Sequence, residues 1–206
     1  MRSLRVILLV VVSIVLGAIG VGPASAAKAP LATPQFTSAV AVDTRTVTLT
    51  WTAVKGVDHY VLEWAPGQRL STSTTSATVT DLYPGDDVGF VVRAETRKNQ
   101  PSGSSDWVYV SLAPEGPDSP NGYAANADTV KLWWGSGRGC YTFELAVALP
   151  DGTFTTVTQL PNYVVDQSWL GHQDPGTTVS YVVRCASFSG LVSTWSPPTV
   201  LTTPEL

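Results

Sequence analysis

Few residues in this chain could do chemistry, and their spacing gives them little to work with. His59 opens an alternating apolar stretch and His172 lies in a polar loop much further along. Each reads as a surface or half-buried histidine, because a catalytic imidazole needs a nucleophile or an orienting carboxylate held beside it. Asp86 and Asp87 adjoin the turn signal Pro84-Gly85. Two adjacent carboxylates fall short of the oxygen cage that calcium takes, so they read as a solvated turn. The run Gly135-Ser136-Gly137-Arg138-Gly139 is glycine-rich but lacks the Lys-Ser/Thr of a phosphate loop, so it reads as a flexible loop between two strands. No Cys/His cluster has zinc-ligand spacing. The expectation is a chain with no catalytic residue, no metal site and no cofactor.

The elements that would position any site are strands. Charged residues make up 14% of the 206 positions, and hydroxyl residues crowd runs such as Ser71 to Thr78. Both features favour half-buried strands over solvated helices. The formal net charge is −4, and it falls to −6 without Arg2 and Arg5. Such a balance repels a phosphate backbone, which argues against a nucleic-acid partner. Arg2 and Arg5, the aliphatic run Val6 to Gly22 and the small residues Ala24-Ser25-Ala26 follow the pattern of a secretory signal peptide over residues 1–26, with Ala27 as the mature N-terminus. An uncleaved anchor is the competing reading, but the apolar run is short for a membrane span and contains helix-weakening glycines. The expected location is extracellular, with no membrane association after cleavage. In that compartment a lone cysteine pair such as Cys140 and Cys185 can oxidise.

The mature chain repeats itself. Thr46-Val47-Thr48-Leu49-Thr50-Trp51 aligns with Thr129-Val130-Lys131-Leu132-Trp133-Trp134, and His59-Tyr60-Val61-Leu62-Glu63 with Cys140-Tyr141-Thr142-Phe143-Glu144. The stretch from Pro84 to Arg93 aligns with that from Pro175 to Arg184. Three matches in one order mark two copies of one unit. Period-two alternation assigns Trp51, Tyr60, Leu62 and Phe90 to one core, and Trp134, Tyr141, Phe143 and Tyr181 to the other. Turn signals at Pro84-Gly85, Asp151-Gly152 and Pro175-Gly176 separate short strands, which is the pattern of an all-β sandwich.

These residues resemble the fibronectin type III family. That family carries a strand-B Trp, a strand-C Tyr, a Leu-x-Pro-Gly turn before an alternating strand F, and a serine-rich approach to strand G. Trp51, Tyr60, Leu82-Tyr83-Pro84-Gly85 and Val88 to Arg93 supply this pattern once. Trp134, Tyr141, Pro175-Gly176, Val179 to Arg184 and Ser193 to Pro198 supply it again. The resemblance implies two Ig-like sandwiches in tandem, residues 34–113 and 114–206, behind a short N-terminal linker at 27–33, with a Pro-rich join at 113–119. In both copies a Val stands where the family's strand-F Tyr is expected, and Leu170 to Asp174 make the loop before Pro175 look longer than its counterpart. The resemblance also implies a disulfide between Cys140 at the start of strand C and Cys185 at the end of strand F. Alternation turns Cys185 inward and Cys140 outward, so pairing requires the chain to bend at Gly139.

The chain has no Arg-Gly-Asp, and only half of a Trp-Ser-x-Trp-Ser box at Leu191 to Ser196. What remains is aromatic surface. Trp133 must point outward if Trp134 points inward, and Trp107, Trp169 and Trp195 lie near strand ends. Trp133 and Arg138 are the candidate binding residues. Trp133 has two readings, as a ligand contact or as an interdomain contact. The expected function is a secreted, non-catalytic module binding an extracellular protein or polysaccharide. The alternative is a carbohydrate-binding appendage of the kind attached to extracellular polysaccharide hydrolases.

Overall fold

Alternating apolar residues can bury one face of a strand, so the repeat requires paired sheets packed face to face. The computed structural model describes residues 30–161 and 168–206. The signal-peptide reading of residues 1–26 lies outside the described residues, as do residues 27–29 of the expected 27–33 linker. The first half contributes β1 (Phe36–Ala41), β2 (Val47–Trp51), β3 (His59–Trp64), β4 (Gln68–Thr72), β5 (Ser76–Val79), β6 (Asp87–Glu95), β7 (Pro101–Ser104) and β8 (Val108–Ser111). β1, β2 and β5 form one antiparallel sheet, and β4, β3 and β6 form the other, with β7 and β8 successively pairing the free edge of β6. The second half contributes β9 (Asn121–Ala124), β10 (Thr129–Trp133), β11 (Thr142–Ala148), β12 (Phe154–Pro161), β13 (Ser168–His172), β14 (Thr178–Ala186) and β15 (Thr199–Thr202). Its sheets run β9-β10-β13 and β12-β11-β14-β15. The molecule is all-β across the described residues, and Leu31–Leu206 forms one compact unit.

Each half buries its own apolar cluster. Trp51, Tyr60, Leu62 and Phe90 lie in the first with Val47, Leu49 and Leu112. Trp134, Phe143 and Tyr181 lie in the second with Val130, Leu132 and Leu145. The strand-B tryptophans meet their partners edge-on or tilted, Trp51 against Tyr60 at 5.6 Å and Trp134 against Phe143 at 6.2 Å.

Tyr141 is not a core residue. It is 53% exposed and meets only the edge of Phe188 among the ring contacts. Hydrogen bonding gives the reason: Tyr141 N donates to Ala186 O as Asp58 N donates to Glu95 O. Tyr60 pairs with Ala94 on β6, whereas the residue paired with the corresponding Cys185 on β14 is Phe143. The true counterpart of Tyr60 is therefore Phe143, two residues beyond the one the alignment chose. A slip of two leaves alternation intact, so period alone cannot detect it.

The same register explains the disulfide. Cys140 and Cys185 are bonded, with Cα atoms 5.4 Å apart. Cys140 turns inward because the chain bends through Gly139, which adopts φ +74°, and strand pairing resumes at Thr142. The corresponding pair in the first half, Val57 and Ala94, packs in the core without a cross-link.

Two further substitutions between the copies are coupled. Leu82 N donates to Arg45 O and Gln173 N to Asp128 O, so Gln173 takes the place of Leu82, and the loop from strand to Pro-Gly is shorter in the second half (173–174) than in the first (80–83), not longer. Tyr181 takes the place of Phe90. The added hydroxyl donates to Gln173 Oε1 at 3.2 Å, and Gln173 Nε2 donates to Thr177 O at 2.7 Å. A buried amide is tolerated here because it is bonded at both ends.

The serine-rich approach to the last strand is a clip. Ser102 and Ser105 accept from the backbone N–H of Ala94 and Val92, and Ser193 and Ser196 accept from Cys185 and Val183. Each hydroxyl also donates to the carbonyl of the next residue. Side-chain oxygens thus satisfy edge N–H groups where the chain is too irregular for a full ladder.

Candidate binding surface

With the interiors committed to packing, a ligand can meet only outer sheet faces and loops. On β8, Val108 and Val110 point into the core, so Trp107 and Tyr109 point out. They are 54% and 70% exposed. Their ring centroids lie 6.5 Å apart with planes 27° from parallel. Gly89 on β6 pairs with Tyr109, and a Cβ there would lie 2.9 Å from the Tyr109 ring and 3.2 Å from the Trp107 ring. The two rings lean over a backbone position that has no side chain to lift them.

Trp133 does point outward. It is 41% exposed and lies edge-to-face with Tyr123 at 6.1 Å, on the outer face of the β9-β10-β13 sheet. Trp195 is stacked between Phe154, at 4.9 Å, and the Arg184 guanidinium, 4.3 Å from its ring centre. Arg184 also pairs with Glu144 at 2.6 Å. Trp169 has a described backbone position in β13, opposite Leu132, and its side chain lies outside the described residues.

Arg138 belongs to the join between the modules. Its backbone forms an antiparallel bridge with Glu115, and its guanidinium lies 3.9 Å from the Glu115 carboxylate. The other Glu115 oxygen accepts from Arg45 of the first module at 2.5 Å. The Arg45 hydrogen bond holds the Glu115 carboxyl below its ordinary range. Beneath this ion triad, Gly85 of the first module meets Gly139 of the second so closely that a Cβ on Gly85 would lie 2.4 Å from the Gly139 carbonyl oxygen. The loop Gly135 to Gly139 is thus packed against the sister module and the linker. The contacts do not bring Trp133 and Arg138 together: one touches Tyr123, the other Glu115.

The histidines have local partners. His59 lies 3.3 Å from both Asp58 and Glu95, and His172 lies 3.2 Å from Asp174. Among the described residues no group of three or more His, Cys, Asp or Glu could hold a metal ion, and no helix is long and apolar enough to cross a membrane. Asp86 precedes β6 and Asp87 opens it; Leu112 N donates to Asp86 O and Asp87 pairs with Ser111.

The twin sandwiches, with a strand-B Trp in each core and serine clips on each last strand, decide the fold. Residues 32–110 match the family model of the fibronectin type III domain. Both halves have the fold of that domain, in tandem. A two fibronectin type-III domain segment from chicken tenascin is similar, with a TM-score of 0.56 and 14% identity, over 82% of this chain and 99% of that one. The chicken CNTN1 FN1–FN3 domains match with a TM-score of 0.39 and 15% identity, over 86% of this chain and 68% of theirs. None of the curated proteins matches the chain.

Tyr109, Tyr123 and Glu115 are not among the residues that the sequence alone singles out. Tyr109 was within reach, since the alternation Trp107-Val108-Tyr109-Val110 puts both rings on one face. Glu115 was not, because it acts through residues distant in sequence on both sides of the join.

Proposed function

We propose that the chain is a secreted, non-catalytic interaction protein, in which two fibronectin type III modules present aromatic side chains to an extracellular partner. The observation that carries this reading is the exposure of Trp107, Tyr109, Tyr123 and Trp133 on outer sheet faces. Large rings outside both cores contribute little to folding and are enriched at interfaces. Secretion is supported by the leader-like pattern of residues 1–26 and by the Cys140–Cys185 disulfide, a bond that persists in oxidising compartments.

Capture from an extracellular fraction by the immobilised chain tests the reading. Trp107→Ala and Trp133→Ala should each leave thermal unfolding cooperative, and at least one should reduce capture about tenfold. Capture unaffected by both would remove the aromatic faces from consideration. The carbohydrate-binding alternative gains support from one pair in particular, Trp107 and Tyr109, whose near-parallel rings suit a sugar face.

A further inference from the structure

Building on the interaction reading, we propose that Trp107, Tyr109 and the glycine between them form a subsite for a neutral glycan on the first module. The repeat supplies an internal control. Ser180 takes the place of Gly89 and pairs with Val200, which takes the place of Tyr109; Pro198 takes the place of Trp107. The second module folds with Ser180, Pro198 and Val200, so the fold does not require the glycine and two rings. Those residues answer to something outside the core.

The chemistry of the surroundings selects the ligand. The rings lean over Gly89, both largely exposed, with planes 27° from parallel and 6.5 Å between centres. The C–H face of a pyranose can rest on each, so adjacent sugars can span the pair. Alternation puts Asp87 on the same outward face as Gly89, opposite Ser111, which shares the outward parity of Trp107 and Tyr109. The Asp87 carboxylate and the Ser111 hydroxyl, on the face that carries the rings, can accept hydrogen bonds from sugar hydroxyls. The same carboxylate disfavours phosphate, sulfate or uronate. Two rings in a polar setting are also a small area beside the roughly 800 Å² that a partner protein covers in a stable complex.

The test uses the purified full chain and four probes: cellohexaose, chitohexaose, a polygalacturonate fragment and tetramethylammonium. The readouts are tryptophan fluorescence and the indole N–H shift of Trp107. At least one neutral hexasaccharide should shift that resonance saturably. Trp107→Ala and Tyr109→Ala should each weaken binding about tenfold or more, while Phe188→Ala, which removes an exposed ring of the second module, stays within about twofold. Gly89→Ala, which keeps both rings but displaces them, should also weaken binding. The indole shift of the unmodified chain remains decisive if a variant fails to unfold cooperatively. Preference for polygalacturonate or tetramethylammonium would overturn the neutral-glycan assignment, as would neutral binding that survives Trp107→Ala. A silent Trp107 resonance with every probe, in a chain that still captures a protein through Trp133, would overturn the subsite and leave the interaction reading standing.

Discussion

Tyr181 and Gln173 show how one sandwich site can be filled in two ways. The first module uses Phe90 and Leu82, and the second uses a phenol and an amide in the same places, joined at 3.2 Å. Deleting the hydroxyl alone deprives the buried Gln173 oxygen of this donor, so Tyr181→Phe should destabilise the chain by about 1–2 kcal/mol. Adding Gln173→Leu should recover most of the loss, because the pair then reproduces its apolar counterpart. Chemical denaturation of the single and double variants measures both effects. Equal losses in the two would mean that the pair is not coupled. Burial also pushes the Tyr181 phenol above its ordinary pKa of 10.0.

At the scale of elements, the disulfide joins the bend before β11 to the end of β14. It encloses 44 residues, and its loss should destabilise the second module by about 4 kcal/mol in the loop-entropy account. Cys140→Val with Cys185→Ala copies the Val57 and Ala94 of the first module and so separates packing from cross-linking. Urea unfolding of this variant should show the cross-link loss with little cavity loss, whereas an unchanged midpoint would mean that the bond adds no stability. Strand positions, turns and most of the core residues are legible in the sequence, because alternation and Pro-Gly or Asp-Gly turns are local signals. Tyr141 was misread because a two-residue slip preserves alternation. The loop before Pro175 was misread as longer because Gln173 is not recognisable by type as a replacement for Leu82. The aromatic pair over Gly89 was only half legible: its facing was written in the sequence, and its floor lay on another strand.

For the whole molecule, the join depends on a carboxylate and two glycines. Glu115 is bonded to Arg45 and faces Arg138, and its carboxyl is held below its ordinary value of 4.5 by the Arg45 hydrogen bond. A depressed carboxyl contributes its stabilisation above the ordinary value and loses it as pH falls through the lowered one. Small-angle scattering should therefore be constant from neutral to mildly acid pH, with the join loosening only below the ordinary carboxylate range. Glu115→Gln should show the looser state at every pH, and a profile identical to the unmodified chain would exclude the carboxylate from the join. Gly139→Ala should loosen the join at neutral pH by contact alone, since its Cβ would lie 2.0 Å from the Pro84 carbonyl oxygen. The cross-link has a different meaning when the chain carries load. Pulled from its ends, the first module can pay out its whole length, but the residues between Cys140 and Cys185 stay tied off. At about 3.4 Å per extended residue that withholds on the order of 150 Å. A force–extension trace should show one full and one truncated step, with the missing length returning under reductant, so under oxidising conditions the second module is the shorter tether.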